Sequence, residues 1–486
     1  MSTLEGVLAA LDEAGLLVEA PQAMPEITGV TDDSRSVRPG MLFCAVAGTV
    51  HDGHRFIPEA IEAGAAVIVV SRHVPGEARQ ILCRDSRLAA SVAAAHWYGE
   101  PGREISLIGV TGTNGKTTTV SLIRHILNEA GTVGSIGTLG AINSHGRPLE
   151  GHDALTTPGS VELQEVLAAL RSAGVSTVVM EASSHALHQG RLATLELAAG
   201  VFTNLTHEHL DYHGTLEEYL GAKALLVDCV RDDGALVINA DDEAWAELTP
   251  RSSQRTITFG TSSADVLVSD IEYGRTGSRC TLAFGGVLVP ATIPLPGHFN
   301  VSNAAAAATV SWALGMEPAA IAERIASAEP VPGRMEPLIQ DEFSVIRDYA
   351  HTPDALERAI TALRPVTGGR LIVLFGAGGD RDKRKRPAMG EIAERLADIA
   401  VVTSDNPRTE DPDAIIDDIE KGMPRRKHVR ITDRREAVHH AIALLEADDC
   451  LLLAGKGHEI YQIIGTDALP FDEREIVEQA MARRAS

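Results

Sequence analysis

The chain has 486 residues, a length that predicts about three domains of ordinary size. With 43 Lys and Arg against 67 Asp and Glu, its formal net charge of -24 argues against extended binding to nucleic acid or anionic membranes, although a local basic pocket could still bind a small anion. No apolar run approaches the roughly 20 residues that span a bilayer, and the N-terminus lacks the basic start and continuous apolar core of a signal peptide. We therefore expect a cytosolic protein without membrane insertion.

Short β-rich runs alternate with helical patterns along the chain, as in parallel α/β sheets. The run GAAVIVVS (64–71) follows a helical stretch, and EISLIGV (104–110) is a strand candidate before a Gly-rich turn. VELQEVLAALRSAG has the i, i+3, i+4, i+7 apolar spacing of a helix, and VSTVVME (175–181) and LAAGVFTN are the next strand candidates. The stretches YGEPGRE (98–104) and AEPVPGRME (328–336) predict domains at 1–103, 104–330 and 331–486.

The five cysteines are scattered and form no CxxC pair, which argues against a disulfide framework or a zinc site. We expect them to be small buried apolar residues. They are Cys44, Cys83, Cys229, Cys280 and Cys450.

The strongest local signal is GVTGTNGKTTT (109–119), which lies between a strand candidate and a helical stretch. Its glycines allow backbone N–H groups to turn around phosphate oxygens, while Lys116 can reach terminal phosphates and Thr117 can place a hydroxyl on Mg²⁺. The strict phosphate-loop pattern has glycine where this chain has Val110. The motif predicts nucleoside triphosphate binding without defining the reaction, and the alternative is a Gly-rich turn with a chance GKT.

Acidic and imidazole groups follow the next two strand candidates. Glu181 ends VSTVVME, a position suited to Mg²⁺, although an ordinary loop carboxylate is the alternative. The stretch TNLTHEHLDYHG (203–214) adds His207, His209, Asp211 and His213. Their spacing is not that of a zinc site, and for each of them a packing or surface role is the alternative.

Ten motifs in order resemble the Mur ligases, a family of ATP-dependent amide-forming enzymes of bacterial cell-wall synthesis, and most of all its MurE branch. The resemblance as a whole runs from about residue 30 to residue 460. The ten motifs, which lie between residues 109 and 459, are GVTGTNGKTTT, MEASSHALHQGR, TNLTHEHLDYHG, YLGAKALL, HFNVSNAAAA, PGRME, DYAHTPDAL, GAGGDRDKRKRP, DNPR and GKGHE. MurE enzymes add the third amino acid to UDP-N-acetylmuramoyl-L-Ala-D-Glu. The resemblance implies an N-terminal UDP-binding α/β domain, a central P-loop ATPase α/β domain and a C-terminal Rossmann-like α/β domain for the incoming amino acid. It also implies ATP and Mg²⁺ as cofactors and small-molecule partners, and we expect a monomer.

The resemblance assigns roles residue by residue. The residues expected to cradle ATP are Gly112, Thr113, Asn114, Gly115, Lys116, Thr117 and Thr118, with further nucleotide contacts from Asn300, Asn303, Arg334, Asp348 and His351. The expected metal ligands are Thr117, Glu181, His209 and Lys223, of which Lys223 matches a lysine that is carbamylated by CO₂ in the family. Without the family match, the sequence predicts that Lys223 is a surface helix lysine. Ser34 matches the uridine-side serine, and the muramoyl-peptide contacts are Thr156, Thr157, Ser183, Gln189 and Arg191.

Three strand candidates of the last domain end in polar loops. RLIVLF leads to Arg381, DIAVVT to DNPR (405–408), and CLLLAG to GKGHE (455–459). The carboxyl ends of parallel strands lie side by side, so we expect one pocket lined by Arg381, Asp405, Asn406, Pro407, Arg408, Gly455 and Glu459. Because a guanidinium binds a carboxylate in bidentate fashion, and because DNPR resembles the diaminopimelate-selecting version of the motif, Arg408 is expected to bind the distal carboxylate of meso-diaminopimelate. The alternative is that Arg408 pairs with Asp405 or Asp411.

The basic loop GAGGDRDKRKRP (376–387) does not match a dinucleotide fingerprint, because Arg381 stands where the third glycine is needed. We expect a solvated basic loop.

Other functions compete with the diaminopimelate ligase. A lysine-adding sister enzyme, another Mur ligase or a folylpolyglutamate-type ligase is disfavoured by Arg408 and HALHQGR. A P-loop ATPase switch or motor would hydrolyse nucleotide without an acceptor amine. A non-catalytic binding protein is disfavoured by the intact Lys116, Thr117, Glu181 and Lys223.

Overall fold

The computed structural model describes residues 3–48, 52–76, 78–151, 155–206, 208–248, 253–425 and 427–485. The chain divides into two compact units. The first contains Met1–Leu267 and Ala306–Glu317, and the second contains Val268–Ala305 and Pro318–Ser486. This division differs from the predicted boundaries at 103/104 and 330/331, which stay a prediction.

The first unit begins with a five-stranded sheet whose order is β1-β5-β4-β3-β2. β1 is antiparallel to β5, and the other neighbours are parallel. The elements are α1 (Leu4–Glu13), β1 (Leu17–Glu19), β2 (Val30–Thr31), β3 (Leu42–Cys44), α2 (Ile57–Glu62), β4 (Val67–Val70), β5 (Gln80–Cys83), α3 (Ser86–Trp97) and α4 (Pro101–Glu104).

Strand β4 shows why the run GAAVIVVS is continuously apolar. Val67 and Val69 belong to the apolar cluster on one face of the sheet, and Ile68 and Val70 belong to the cluster on the other face. Alternate side chains of a strand point to opposite faces, so a strand that is covered on both sides is apolar throughout.

The same unit continues into the sheet that carries the phosphate loop, with the order β12-β11-β10-β6-β9-β7-β8. The strands are parallel except for the antiparallel pair β7 and β8. The elements are β6 (Ser106–Thr111), α5 (Lys116–Leu127), β7 (Val133–Gly137), β8 (Gly140–Ile142), α6 (Ser160–Ser172), β9 (Thr177–Glu181), α7 (Ser184–His188), β10 (Leu197–Phe202), α8 (Leu210–His213), α9 (Leu216–Ala224), α10 (Leu226–Cys229), β11 (Val230–Asn239) and β12 (Arg255–Gly260). The predicted helix and strands around residues 104–204 are confirmed.

Two elements are divided between the units, namely β13 (Val266–Gly274) and α11 (His298–Ala313). The second unit also contains β14 (Gly277–Phe284), which pairs antiparallel with β15 (Val287–Ile293), and the helix α12 (Pro318–Ala326). This hairpin departs from the parallel pattern that the sequence predicts.

The larger part of the second unit is a six-stranded sheet whose order is β16-β17-β21-β18-β19-β20. Only the pair β16 and β17 is antiparallel in this sheet. Its elements and the adjoining hairpin β22–β23 are β16 (Glu336–Gln340), β17 (Ser344–Asp348), α13 (Pro353–Leu363), β18 (Leu371–Phe375), α14 (Lys385–Leu396), β19 (Ile399–Val402), α15 (Pro412–Glu420), β20 (His428–Arg430), α16 (Arg434–Leu444), β21 (Cys450–Ala454), β22 (Tyr461–Ile464), β23 (Asp467–Pro470) and α17 (Glu473–Ala485).

The order β21-β18-β19 confirms that the three strand candidates RLIVLF, DIAVVT and CLLLAG are neighbours. β18 is buried on both faces: Leu371, Val373 and Phe375 pack into one apolar cluster, and Ile372 and Leu374 pack into the other. The loops after these strands therefore start from one rigid sheet edge.

Two further expectations can be compared with the structure. The cysteines are free, and all but the half-buried Cys229 are buried, as expected. Across the ranges given above, no helix combines the length and the apolar character needed to cross a membrane.

Candidate active site

The phosphate loop of the first unit connects the end of β6 to the start of α5. Gly112 has a φ of +147°, and a Cβ built on it would lie 1.9 Å from the hydroxyl oxygen of Thr203. Gly115, with a φ of 85°, caps α5 in the left-handed region. Close approach and backbone conformation both explain why glycine occupies position 112.

The loop is held by the chain segment that follows β10. Asn204 Oδ1 accepts the N–H of Asn114 (2.9 Å), and Asn204 Nδ2 donates to the Asn114 carbonyl (3.0 Å). Thr203 Oγ1 donates to the same carbonyl (2.8 Å), and Asn239 Nδ2 donates to the carbonyl of Thr203 (2.7 Å). The sequence alone indicates no role for these three supporting residues, although Thr203 and Asn204 open the motif TNLTHEHLDYHG.

Two lysines share one acceptor in this loop. Lys116 Nζ donates to the carbonyls of Gly112 and Thr113, both at 2.9 Å. Lys223 Nζ donates to the carbonyl of Gly112 at 2.7 Å. Lys116 therefore folds back over its own loop and must leave these carbonyls to reach a phosphate.

The expectation, from sequence alone, that Lys223 is a surface lysine is wrong. Its side chain is 1% exposed and its ammonium lies 4.4 Å from the centre of the Tyr219 ring. Burial holds the pKa of Lys223 well below its usual range, Lys116 lowers it further, and Glu208 opposes both. A lysine in this environment is an uncharged nucleophile at a lower pH than an exposed one.

Glu181 ends β9, where it pairs in register with Val110 of the strand that leads into the phosphate loop. Its carboxylate is buried and accepts from the backbone N–H of Thr138 (2.8 Å) and from the Thr138 hydroxyl (3.2 Å). Gly137 leaves room for it, because a Cβ there would lie 2.4 Å from Glu181 Oε1. The carboxylate is therefore fixed beside the phosphate loop.

The histidine-rich segment forms an aromatic cluster. His209 has a φ of 54° at the start of α8, and its ring lies 4.8 Å from that of His185. The ring of His213 lies 5.2 Å from that of Tyr219, and its Nε2 is 3.0 Å from the Ser184 hydroxyl. His213 thus has the packing role that was the alternative. His207 lies outside the described residues.

The expected Mg²⁺ site can be compared with the side chains that the structure brings together. No group of three His, Cys, Asp or Glu side chains that could hold a metal ion occurs among the described residues. Mg²⁺ commonly takes one or two carboxylates and leaves its other positions to phosphate and water, so Glu181 with the buried hydroxyl of Thr117 fits such an ion.

The residues assigned to the muramoyl peptide lie together around the end of β9. Thr157 donates its hydroxyl to the carbonyl of Glu181 (2.7 Å), and its oxygen lies 3.2 Å from Ser183 Oγ. Arg191 donates to the carbonyl of Thr157 (2.6 Å) and to Gln189 Oε1 (2.7 Å). Thr156 Oγ1 lies 3.4 Å from the hydroxyl oxygen of Thr138. These residues form one connected hydrogen-bond network with Thr138 and Glu181. Their assignment to the substrate stays a prediction.

The N-terminal sheet contributes a loop to this neighbourhood. Ser34, assigned to the uridine side, begins a short 3-10 turn at Ser34–Ser36 after β2. Burial lowers the pKa of Arg191, and the carboxylate of Asp32, two residues before Ser34, acts in the opposite direction. A Cβ on Gly159 would lie 3.7 Å from Asp32 Oδ2. Asp32 is a further polar group here that sequence analysis did not select.

In the second unit, polar side chains from the loops after β18, β19 and β21 lie close together at the sheet edge. The amino-acid pocket expected there stays a prediction. Asp405 and Asn406 are buried, and Asn406 Nδ2 donates to Glu459 Oε2 (2.9 Å). A Cβ on Gly455 would lie 2.6 Å from Asp405 Oδ2, so this glycine permits the close approach. A Cβ on Gly378 would lie 3.0 Å from Arg408 Nη1 and 3.7 Å from the Arg381 side chain.

Arg408 is held in the left-handed region, with a φ of 51°. Its N–H donates to the carbonyl of Ile463 (3.1 Å), and its own carbonyl accepts the N–H of Gly465 (2.7 Å). Its half-buried guanidinium donates to the carbonyl of Gly379 (2.9 Å). Within the described part of the chain, no carboxylate forms an ion pair with Arg408, so the alternative pairing with Asp405 or Asp411 is wrong.

The basic loop GAGGDRDKRKRP is only partly solvated, which corrects the expectation. Arg381 is exposed, but Lys385 begins α14 and donates to the carbonyl of His351 (2.7 Å). Arg386 is 1% exposed and pairs with Glu410 (2.8 Å) and Asp418 (2.9 Å). These pairs tie the loop that carries Arg381 to the segment that follows Arg408.

Comparisons with known proteins agree along the whole chain. Three family models match: Mur ligase family, catalytic domain (residues 26–92), Mur ligase middle domain (110–311), and Mur ligase, glutamate ligase domain (333–457). The UDP-N-acetylmuramoyl-L-alanyl-D-glutamate--2,6-diaminopimelate ligase of Chlorobaculum tepidum is 43% identical over 99% of this chain and 97% of that protein. The chain belongs to the Mur ligase family.

Further likenesses place this Mur ligase in the MurE branch. A ligase of the same name from Synechococcus elongatus is 44% identical over 95% of each chain. The solved structure titled "Structure of UDP-N-acetylmuramoyl-L-alanyl-D-glutamate--2, 6-diaminopimelate ligase" has a TM-score of 0.68 and 32% identity, covering 96% of this chain and 98% of that one. The predicted three-domain α/β architecture is that of the Mur ligases.

The remaining assigned residues of this Mur ligase form two groups in its second unit. The buried Asn300 donates to the carbonyl of Pro296 (2.7 Å), and Asn303 donates to Asn300 Oδ1 (3.0 Å). Arg334 lies 4.9 Å from the centre of the Tyr349 ring, and Asp348 Oδ2 accepts the N–H of Met335 (2.7 Å). Asn300, Asn303, Arg334 and Asp348 are therefore held by contacts with other residues of the second unit.

The second group surrounds Tyr349. The ring of His351 lies 4.6 Å from that of Tyr349, and the ring of His458 lies 5.3 Å from it. Burial raises the pKa of Asp348, which Arg334 opposes. His458 belongs to the GKGHE motif but was not selected from the sequence.

The phosphate loop of this Mur ligase gives a stability prediction. Gly112→Ala should lower the free energy of unfolding by about 2–4 kcal/mol, because the new Cβ meets Thr203 in a backbone conformation that L residues avoid. The matched control is Gly131→Ala, whose φ is also positive (+69°) but whose Cβ would have nothing within 4 Å. Urea unfolding compares the two, and equal losses would show that the contact with Thr203 costs nothing.

His458 gives a pH prediction. Burial, followed by the nearby Arg334, lowers the pKa of His458 from 6.5 to about 4. Between these values the unfolded chain binds a proton that the folded chain does not, so stability falls as the pH falls from about 6.5 towards about 4, by up to about 3 kcal/mol. NMR titration should place the midpoint of His458, identified by its absence in His458→Gln, near pH 4. A midpoint near 6.5 would contradict the burial argument.

Proposed function

We propose that this chain joins meso-2,6-diaminopimelate to UDP-N-acetylmuramoyl-L-Ala-D-Glu, with ATP converted to ADP and phosphate. The product would be the UDP-N-acetylmuramoyl tripeptide used in bacterial peptidoglycan synthesis, made in the cytoplasm by a monomeric enzyme. The observation that carries the choice of amino acid is Arg408, whose guanidinium is anchored in a polar pocket without a carboxylate partner among the described residues. The names of relatives more than 40% identical along nearly the whole chain support the same substrate pair.

The proposed nucleotide site is built on the phosphate loop. The backbone N–H groups of residues 112–118 would bind phosphate oxygens at the start of α5. Lys116 would release the carbonyls of Gly112 and Thr113 and place its ammonium on the terminal phosphate. Five further nucleotide contacts are proposed from the family resemblance alone, namely Asn300, Asn303, Arg334, Asp348 and His351.

The proposed metal is Mg²⁺. Glu181, Thr117 and His209 would hold it with phosphate oxygens and water, and when bound it would supply positive charge to the phosphate oxygens. The support within this chain is the buried Glu181 carboxylate, which Thr138 fixes in place.

The proposed reaction has two chemical steps. The side-chain carboxylate of the D-Glu residue attacks the γ-phosphorus of ATP, the bond to the ADP oxygen breaks, and an acyl phosphate forms. Lys116 neutralises the charge that develops on the transferred group. The amine of diaminopimelate then attacks the acyl carbon and a tetrahedral intermediate forms. The nitrogen loses a proton to solvent, and phosphate leaves as the amide is made. Positioning of the reactants supplies much of the rate.

We also propose that Lys223 carries a carbamate. Burial lowers its pKa, so its uncharged nitrogen can add to the carbon of CO₂ and lose a proton. The side chain would then be an anion beside the phosphate loop that can help to bind a second Mg²⁺. The family match of YLGAKALL and the burial of the amine support this proposal independently.

The acceptor substrate is proposed to bind along the network at the end of β9. The groups offered to the peptide are the hydroxyls, amide and guanidinium of Thr156, Thr157, Ser183, Gln189 and Arg191. Ser34 would contact the uridine side of the substrate. Arg191 is the cation that suits an anionic portion of this substrate.

The amino-acid pocket has complementary charges for a zwitterion with a second carboxylate. Arg408 and Arg381 are the proposed carboxylate ligands, and Asp405 and Glu459 are the proposed acceptors for an ammonium group. Asn406, Pro407 and Gly455 shape the pocket. Lysine lacks the second carboxylate and would leave Arg408 unpaired, which costs about 1–3 kcal/mol.

The test is phosphate release from ATP by the purified protein with UDP-N-acetylmuramoyl-L-Ala-D-Glu. Parallel reactions contain meso-diaminopimelate, L-lysine or no amino acid. We expect release that depends on the acceptor nucleotide and is much faster with diaminopimelate. A preference for lysine would overturn the role of Arg408, and release indifferent to both substrates would identify an ATPase instead.

A further inference from the structure

A buried lysine lies beneath the amino-acid pocket. Lys456, in the GKGHE loop after β21, is 0% exposed. Its Nζ donates to Asn406 Oδ1 (2.7 Å) and to Glu459 Oε2 (3.0 Å), and lies 3.8 Å from Asp405 Oδ1. One desolvated cation therefore touches three of the side chains proposed to receive the amino acid.

We propose that Lys456 is a positioning residue that fixes Asn406, Glu459 and, through them, Arg408 in the geometry that selects the amino acid. The inference rests on the proposed function and adds to it a residue that determines specificity. Lys456 is too deeply buried to be a surface contact, so it acts through the side chains it holds.

The orientation of Asn406 is the first step. Its Oδ1 accepts from Lys456 Nζ and from the backbone N–H of Ile463 (2.9 Å). Two donors at one end of the amide fix the oxygen there, so the Nδ2 end is directed at Glu459 Oε2. Without the lysine, one of the two donors that define this orientation is lost.

The charge balance is the second step. Asp405 and Glu459 are two carboxylates in a mostly buried pocket, and Lys456 is the cation placed between them. Removing one partner from a buried charge cluster leaves the other charges uncompensated. The carboxylates would then repel each other and draw on other cations, of which Arg408 is the one needed for substrate.

The third step links this cluster to Arg408. Ile463 in β22 donates its N–H to Asn406 Oδ1 and accepts the N–H of Arg408 at its carbonyl (3.1 Å). Gln462 Nε2 donates to the carbonyl of Asp405 (2.6 Å). The hairpin β22–β23 is thus hydrogen-bonded to three of the four DNPR residues. Because Ile463 bonds both Asn406 and Arg408, a shift of Asn406 is transmitted through Ile463 to the strained backbone of Arg408.

The experiment compares Lys456→Met and Lys456→Gln with the wild type in full-length protein. Gln keeps a donor for Asn406 but removes the charge, and Lys427→Met makes the same change as the Met variant at an exposed position. The readouts are KM for diaminopimelate, ATP and the UDP-dipeptide, kcat, and the ratio of kcat/KM for diaminopimelate over lysine.

We expect Lys456→Met to raise KM for diaminopimelate by about 10- to 100-fold and to reduce the diaminopimelate-to-lysine ratio, with KM for ATP and for the UDP-dipeptide unchanged. Lys456→Gln should be intermediate, and Lys427→Met should match the wild type. If Lys456→Met does not fold, Lys456→Gln decides the question by the same comparison of KM for diaminopimelate with KM for ATP and for the UDP-dipeptide.

Two results would overturn the inference. One is a folded Lys456 variant with unchanged KM for diaminopimelate and unchanged selectivity. The other is an equal loss for all three substrates, which would mean that Lys456 only supports the fold. A wild-type protein without acceptor-dependent activity would instead contradict the proposed function, so the two failures are distinguishable.

Discussion

Lys223→Met should reduce kcat by about 100- to 1,000-fold while leaving the protein folded. The side chain is buried against Tyr219, and methionine has a similar length and an apolar end, so the packing survives. The nitrogen that contacts the carbonyl of Gly112, and the carbamate proposed for it, are both lost. Phosphate release at saturating substrates measures the effect, and thermal unfolding confirms that the fold is kept.

A spectroscopic readout separates the carbamate from a merely structural lysine. Wild-type protein in ¹³C-labelled bicarbonate should show a carbamate carbon signal that Lys223→Met lacks. Activity of the wild type should fall when CO₂ is removed and return when it is restored, whereas any residual activity of the variant should ignore CO₂. A variant with wild-type turnover would eliminate Lys223 from the reaction.

Lys223 also shows what the sequence could not supply. Whether a helix residue is buried depends on which face of α9 packs against its neighbours, and LEEYLGAKA has no strong apolar stripe. The burial of Lys456 has the same origin: GKGHE is a polar loop in the sequence, and only the folded sheet edge encloses its lysine. Three-dimensional packing overrides the preference of lysine for the surface at both positions.

The phosphate loop and the sheet edge were predictable because local sequence determines them. The spacing of Gly112, Gly115 and Lys116 between a strand and a helix encodes the loop directly. Polar residues follow three apolar runs in the sequence. If those runs are parallel strands, their polar ends lie at the same edge of the sheet. The supporting contacts of Thr203, Asn204 and Asn239 were not predictable, because they join distant parts of the chain. Thr203 and Asn204 contact the loop across about 90 residues, and Asn239 contacts Thr203 across 36 residues.

Arg408 has one feature that the sequence predicts and others that depend on the folded structure. Its place at the end of a strand was readable from DIAVVTSDNPR, but its left-handed backbone and its bonds to β22 were not. A non-glycine residue in this conformation costs about 1–2 kcal/mol, so the hairpin must stabilise it. The guanidinium is therefore held in place before any substrate arrives.

Arg408→Met should lower kcat/KM for meso-diaminopimelate by about 10- to 100-fold, because a charge-assisted contact to the distal carboxylate is lost. The value for lysine should change little or rise, since lysine gains nothing from the guanidinium. The ratio of the two values therefore falls mainly through diaminopimelate. Arg425→Met, at an exposed arginine of the same unit, is the matched control and should leave both values unchanged.

Arg408→Lys distinguishes charge from geometry at this position. Lysine keeps a positive charge but has neither the planar fork that binds a carboxylate twice nor the reach to Gly379 that fixes the guanidinium. We expect its loss for diaminopimelate to lie close to that of Arg408→Met. Full retention of selectivity by Arg408→Lys would mean that any cation suffices, and unchanged selectivity in Arg408→Met would assign recognition of the distal carboxylate to Arg381 instead.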